Sequence, residues 1–127
     1  MTLLLIEPDS LLAKNFKSFF TKNKIKVIWR RSMQAAIEKL DKRPVDVVVM
    51  DVIGGNHNGV EFLYELRSYP EWYEVPVIFH SSLPPQDFTG LEDSLAELNI
   101  TSFHYKPNTS LADLLLAVNQ SVAAIAA

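Results

Sequence analysis

The chain has 127 residues, which is the length of one ordinary domain. Apolar residues make up 48% and charged residues 21% of the sequence, a balance that is typical of a globular fold and excludes a disordered chain. The net charge of −3 argues against a nucleic-acid binder, and the absence of cysteine excludes disulfides, thiol catalysis and thiolate metal sites.

Five short apolar runs predict five strands, the first of them close to the amino terminus. Their nearly continuous hydrophobicity is typical of strands that are covered on both faces, as in a parallel sheet. The runs are Leu3–Ile6, Ile25–Trp29, Val45–Met50, Val77–His80 and Thr101–His104.

Segments with a helical spacing of apolar residues follow these runs. Asp9 with Ser10, and Ser32, are placed to cap the first two helices. The alternation predicts an α/β fold of five β-α repeats with a doubly wound parallel sheet, in one domain over residues 1–127. The apolar stripes are Leu12, Phe16 and Phe19; Met33, Ala36, Ile37 and Leu40; Val60, Leu63 and Leu66; Leu91, Leu95 and Leu98; and Leu111, Leu115, Val118, Val122 and Ile125.

Polar residues that could carry chemistry end four of the five predicted strands. Sites in open parallel sheets form beyond the carboxyl ends of the strands, so these side chains are expected at one edge. Clustered carboxylates repel one another unless a cation joins them, and a carboxylate can attack phosphorus to form an acyl phosphate. An ammonium and a hydroxyl could then hold the phosphoryl oxygens, and Mg²⁺ suits the oxygen-rich set. The residues are Glu7, Asp9, Asp51, Ser81 and Lys106.

Three segments of the chain resemble the receiver domain of two-component response regulators, and the resemblance extends over essentially the whole sequence. Residues 47–51, followed by Gly59, look like the phosphoacceptor strand and loop of that family. Residues 76–82 look like its fourth strand, and Phe103 to Pro107 look like its fifth strand and Lys-Pro turn.

The resemblance implies a flavodoxin-like (βα)5 sheet with strand order 2-1-3-4-5 and a phosphorylation site at Asp51. By the same resemblance, Asp51 accepts a phosphoryl group from a histidine kinase or histidine phosphotransfer protein, while Ser81 and Lys106 bind the group. Phe103 matches the aromatic switch position. The face of the fourth helix, fifth strand and fifth helix would then change its affinity for a downstream effector. The implied Mg²⁺ ligands are Glu7, Asp9, Asp51 and the backbone carbonyl of Ile53.

One departure from the family pattern leaves two interpretations open. Pro8 stands where the family usually has a second acid that binds the metal, and proline has no side-chain ligand atom. Asp9 either substitutes for that acid or only caps the first helix. The Mg²⁺ affinity is therefore in question, and the alternative function is a degenerate receiver that binds partners without phosphorylation. Ser82 replaces Ser81 if the register shifts by one residue.

A flavodoxin-like enzyme or nucleotide binder is a third hypothesis, because fold alone does not define function. Glu7-Pro8-Asp9-Ser10 follows the first strand, where a phosphate cradle needs glycine-rich backbone donors and few acids. We therefore expect a regulatory domain and not an enzyme.

The hydropathy pattern leads to an expectation about location and partners. No apolar run approaches the roughly 20 residues that cross a bilayer, and the amino terminus lacks the basic region of a signal peptide. We expect a cytoplasmic protein with no direct contact to membrane or nucleic acid. The apolar tail over residues 121–127 adds a candidate surface for a partner or for a homodimer.

Overall fold

The computed structural model describes residues 1–38, 44–52, 59–88 and 92–126. Five parallel strands form one sheet in the order β2-β1-β3-β4-β5, which confirms the expected doubly wound α/β fold and its strand order. The strands are β1 (Thr2–Ile6), β2 (Lys26–Arg30), β3 (Val47–Met50), β4 (Val77–Ser81) and β5 (Ile100–Tyr105).

Among the described residues, four helices connect the five strands and a fifth follows β5, as the apolar periodicity predicts. The helices are α1 (Ser10–Lys22), α2 (Met33–Glu38), α3 (Gly59–Arg67), α4 (Glu92–Glu97) and α5 (Leu111–Ala126). Short 3₁₀ turns occur at Pro70–Trp72, Pro85–Phe88 and Lys106–Asn108. Two members of the predicted helical stripes, Leu40 and Leu91, lie outside the described residues.

The sheet separates two apolar layers, because successive side chains of a strand point to opposite faces. One layer joins the sheet to α2, α3 and α4, and its buried members include Leu4, Val48, Leu63, Leu66 and Phe79. The other joins the sheet to α1 and α5, and its buried members include Leu5, Phe16, Phe20, Val49 and Leu114. Strands covered in this way explain why the central runs are almost continuously apolar.

Both predicted helix caps are present. The Asp9 Oδ1 accepts hydrogen bonds from the backbone N–H of Leu11 (2.9 Å) and of Leu12 (3.2 Å). At the start of α2, the Ser32 Oγ accepts a hydrogen bond from the Ala35 N–H at 3.0 Å. These bonds satisfy donors that have no partner inside a helix, and they fix where the chain turns back after β1 and β2.

Arg67, at the end of α3, ties together two segments that flank β4. Its guanidinium donates to the carbonyl of Trp72 (2.6 Å) and to the carbonyls of Leu98 (3.0 Å) and Asn99 (3.4 Å). Burial lowers the pKa of Arg67, an effect that the neighbouring Tyr73 opposes. The cation therefore serves as a cross-link between backbone carbonyls.

None of the helices in the described part of the chain combines the length and apolar character needed to cross a membrane.

The stacked pair of Phe16 and Phe20 gives a direct test of the α1 packing. The two rings lie 4.1 Å apart, and Phe20 is fully buried. We expect Phe20→Ala to lower the free energy of unfolding by about 3–5 kcal/mol, because it removes buried apolar contacts and leaves a cavity. Urea denaturation measures this. Leu11→Ala, on the same helix but 69% exposed, is the control and should change stability by no more than about 0.5 kcal/mol. Equal effects of the two substitutions would contradict the packing described.

Candidate functional site

Two carboxylates lie side by side at the carboxyl edge of the sheet. Glu7 follows β1 and Asp51 follows β3, and these strands are hydrogen-bonded neighbours. The Asp51 N–H donates to the carbonyl of Ile6 at 3.0 Å, which extends the strand pairing to the site. Glu7 is 1% exposed and Asp51 is 3% exposed. Two buried carboxylates in this position require a nearby cation, since burial of unpaired charges is costly.

Lys106 supplies that cation from the turn after β5. Its Nζ lies 2.6 Å from the Asp51 Oδ2 and 2.9 Å from the Glu7 Oε1, with the Glu7 Oε2 at 3.1 Å. Groups separated by 99 and 55 positions in the sequence are thus brought into direct contact. The sequence-based expectation that Glu7, Asp51 and Lys106 share one edge agrees with this geometry.

Burial and pairing act on this group of charges in opposite directions. Burial raises the pKa of Glu7, and its hydrogen bonds with Lys106 and with the Asp9 backbone only partly offset this effect. Burial alone would lower the pKa of Lys106, but its hydrogen bonds to Asp51 and Glu7 outweigh burial and raise that pKa. Lys106 is therefore held as an ammonium, and Glu7 is protonated more readily than an exposed glutamate.

Of the other two predicted metal ligands, the structure describes only Asp9. The Asp9 carboxylate caps α1, while its backbone N–H donates to the Glu7 Oε2 at 3.1 Å. Ile53 lies outside the described residues. Within the described chain, Glu7 and Asp51 present oxygen donors of the kind that hard divalent cations bind. Both carboxylates already contact a cationic group, the Lys106 ammonium, so their charge and oxygen donors fit a bound cation.

Two further predicted site residues lie on the last two strands, Ser81 at the end of β4 and Phe103 within β5. Ser81 ends β4 and is fully buried, and its Oγ accepts a hydrogen bond from the Leu83 N–H at 3.0 Å. Ser82, the alternative hydroxyl, is exposed. Phe103 on β5 packs edge-on against Phe79 (6.1 Å) and Phe88 (4.8 Å). The aromatic contact joins β5 to β4 and to the segment that precedes α4.

Trp29, which ends the second predicted strand, borders the site although it is not among the predicted site residues. The Trp29 Nε1 donates to the carbonyl of Glu7 at 2.9 Å, so its indole borders the acidic group. A tryptophan at the end of an edge strand beside the predicted site is a signal that could have been used.

His80 precedes Ser81 on β4 and is buried. Burial, assisted by Lys106, lowers its pKa to about 4, so the ring is neutral at neutral pH. The sequence places His80 at the end of the fourth predicted strand, but the protonation state of the ring follows from burial, which requires the fold.

The fold and this group of residues agree with the comparison to known protein families. The model of the response regulator receiver domain matches residues 3–116. The chain therefore belongs to the receiver domain family of two-component response regulators, and the resemblance seen in the sequence is confirmed. A receiver domain is a regulatory domain.

Individual relatives are more distant. A protein-glutamate methylesterase/protein-glutamine glutaminase of Treponema denticola is 32% identical over 87 residues, which are 68% of this chain and 23% of that protein. The chain thus spans less than a quarter of that relative's length.

Solved structures share the fold at low sequence identity. A sensor protein of Polaromonas sp. JS666 superposes with a TM-score of 0.85 at 17% identity, covering 97% of this chain and 96% of the other. The receiver domain of a sensor histidine kinase from Pseudomonas aeruginosa has a TM-score of 0.77 at 16% identity, with 96% and 97% coverage. The latter structure holds a magnesium ion coordinated in its active-site cleft.

The low pKa of His80 predicts a loss of stability in mild acid. The unfolded chain binds a proton at His80 near pH 6.5 and the folded chain only near pH 4, so stability falls as the pH decreases through this window. From pH 7 to pH 5, His80 should account for about 2 kcal/mol of this loss. Glu7 acts in the opposite sense, because its raised pKa favours the folded state at acid pH.

The substitution His80→Leu isolates the contribution of this histidine to the pH dependence of the free energy of unfolding. Urea unfolding of the natural chain and of His80→Leu at both pH values should show the smaller acid-induced loss in the variant. Identical pH dependence of the two proteins would show that His80 does not titrate between these limits.

Proposed function

We propose that the chain is a phosphorylatable receiver in which Asp51 accepts the phosphoryl group. The contact of 2.6 Å between the Lys106 Nζ and the Asp51 Oδ2 carries this proposal. It joins the predicted acceptor to a fixed cation at the carboxyl edge of the sheet, where an incoming phosphoryl group would meet both. The family match and the burial of Asp51 support the same interpretation.

Each residue of the site has a role in the transfer. An Asp51 carboxylate oxygen forms a bond to phosphorus as the bond between phosphorus and the donor histidine nitrogen breaks, and the imidazole leaves. The Lys106 ammonium neutralises the charge on the phosphoryl oxygens. The Ser81 hydroxyl accepts from the Leu83 N–H with a lone pair, so its proton can be donated to a phosphoryl oxygen.

A divalent cation, Mg²⁺ by preference, would be held by Glu7 and Asp51, with Asp9 and the Ile53 carbonyl as the further predicted ligands. When bound, it supplies charge neutralisation for the phosphoryl oxygens. Lys106 would then shift from the carboxylate pair toward the phosphoryl group. Before a cation binds, the fold holds the two carboxylates in contact with the Lys106 ammonium.

The change in partner binding would follow from the new charges that phosphorylation brings to the site. A phosphoryl group on Asp51 replaces the single charge of the carboxylate with a phosphate charge of roughly −1.5 to −2 and three acceptor oxygens. Ser81 would move to donate to one of these oxygens, and Phe103 would follow within its contacts to Phe79 and Phe88. We propose a cytoplasmic histidine kinase or phosphotransfer protein as donor and an effector protein at the face formed by α4, β5 and α5.

Acetyl phosphate labelling tests the acceptor assignment. Incubation of the full chain with acetyl phosphate and Mg²⁺ should add the mass of one phosphoryl group, measured by intact mass spectrometry. Asp51→Asn should remove the added mass, because the amide oxygen is a poor nucleophile. Asp46→Asn, at an exposed carboxylate at the opposite edge of the sheet, is the matched control and should label normally.

A second candidate function is a receiver that binds partners without phosphorylation. Pro8 and the use of Asp9 as a helix cap favour this candidate, since both remove a carboxylate from the metal site. Absence of labelling with acetyl phosphate and with a phosphorylated kinase, in a folded chain, would support it against the first proposal.

The substitution Pro8→Asp tests whether the missing acid limits metal binding. A third carboxylate should strengthen Mg²⁺ binding by roughly tenfold or more, because oxygen ligands and their charge set the affinity for hard cations. Trp29 fluorescence provides the readout, since the indole donates to the Glu7 carbonyl. Pro8→Ala is the control that removes proline without adding a ligand. Equal affinities in Pro8→Asp and Pro8→Ala would refute this prediction.

A further inference from the structure

The charges of the chain are segregated along the sequence. Residues 10–37 contain seven Lys and Arg residues and no Asp or Glu. Residues 44–105 contain ten Asp and Glu residues and a single basic residue, Arg67. The modest net charge of −3 therefore conceals two strongly charged regions of opposite sign.

The fold brings part of both regions to the amino-terminal edge of the sheet, opposite the Asp51 site. Lys26 opens β2 and is paired with Thr2 of β1, while Asp46 precedes β3 and donates its N–H to the carbonyl of Thr2. The Pro76 carbonyl, just before β4, accepts from the N–H of Val48. Basic groups thus lie at the β2 side of this edge, and acidic groups lie at the β3 and β4 side.

We define two halves of this edge by their exposed residues. The basic half consists of Lys22, Lys24 and Lys26. The acidic half consists of Asp46, Glu71 and Glu74. Within the described chain, none of these six side chains forms an ion pair, because the ion pairs found there involve Lys106 alone.

The two halves are too far apart to neutralise each other within one molecule. Three strand spacings, about 14 Å, separate β2 from β4, which Glu71 and Glu74 precede, and two spacings, about 10 Å, separate β2 from β3, which Asp46 precedes. The Debye length at 0.1 M salt is about 10 Å, so the mutual attraction of the two halves across solvent is largely screened. Among the described residues, each half therefore presents charge without an ion-pair partner, and the Asp46 Oδ2 accepts a hydrogen bond from the Thr2 N–H at 2.7 Å.

The acidic half also borders an apolar groove. This groove has a volume of about 530 Å³ and lies between the segment before β4 and the end of α5. Val45, Val122 and Ile125 contribute apolar side chains, and Asp46, Glu71 and Glu74 contribute carboxylates. Ile125 is 53% exposed, and Met1, which directly precedes β1, is 44% exposed. Contact with a second surface would bury this apolar area as well as pair the charges.

We propose that the chain forms a two-fold symmetric dimer through the amino-terminal edge of its sheet, in which the basic half of each copy faces the acidic half of the other. The two-fold axis would stand perpendicular to the sheet at the middle of this edge, between β1 and β3. The basic half of each copy would then lie opposite the acidic half of the other. Such an interface is self-complementary and closed. Charge complementarity selects a second copy as occupant, since the chain itself carries the matching basic surface. The Asp51 edges remain accessible at the two ends of the dimer.

Sedimentation velocity over a wide range of chain concentrations tests the proposal. We expect a dimer that dissociates as the salt concentration is raised, because its charges are screened. Lys24→Glu combined with Lys26→Glu should weaken dimerisation by roughly tenfold or more, and so should Glu71→Lys combined with Glu74→Lys. Lys14→Glu with Lys17→Glu is the matched control, since it makes the same change of charge at exposed positions of α1 that are not part of the basic half.

Mixing the two edge variants provides the decisive measurement. Each copy then offers halves that complement the other, so the mixture should dimerise at low salt as strongly as the natural chain, while each variant alone is monomeric. This rescue also shows that both variants are folded. A chain that stays monomeric at all concentrations would overturn the proposal, and so would a mixture that does not dimerise. Asp51→Asn should dimerise normally, so that this result is independent of phosphorylation.

Discussion

The contact of Lys106 with Glu7 and Asp51 is the interaction on which the carboxyl edge of this receiver depends. Two carboxylates that burial disfavours are stabilised there by the Lys106 ammonium, and the pKa directions of Glu7 and Lys106 express this balance. Removal of Lys106 would leave both buried carboxylates without this cation. The same requirement makes the site responsive, since a new negative group on Asp51 changes the balance that positions Lys106.

Sequence patterns were sufficient for the architecture because the central strands are covered on both sides. Uninterrupted runs such as residues 47–50 have no stable alternative to a buried strand, and the helical stripes could only pack against them. Among the described strands the differences lie at the ends: Ser81 joins β4, for example, whereas the predicted residues Val45 and Asp46 lie outside β3. Hydrogen bonds between neighbouring strands set those ends, and a single strand's sequence does not contain them.

The sequence predicts which residues lie at this edge, but it does not predict the contacts that their side chains make. That Glu7, Asp51 and Lys106 meet follows from their places after parallel strands. Two contacts depend on side-chain geometry that a local sequence pattern does not contain. The Asp9 carboxylate caps α1, and the Trp29 indole donates to the Glu7 carbonyl. The proton affinity of His80 likewise depends on burial by residues distant in sequence. Local patterns identify such residues as candidates, and only the fold assigns their partners.

The three carbonyls held by Arg67 have a consequence for how motion can spread in this molecule. They belong to the stretches just before β4 and just before β5, so a single guanidinium fixes both ends of the chain that forms β4 and α4. A segment anchored at both ends can rearrange along its length while its entry and exit points stay in place. A shape change that starts at Ser81, inside this segment, would therefore be taken up between two fixed points of the backbone.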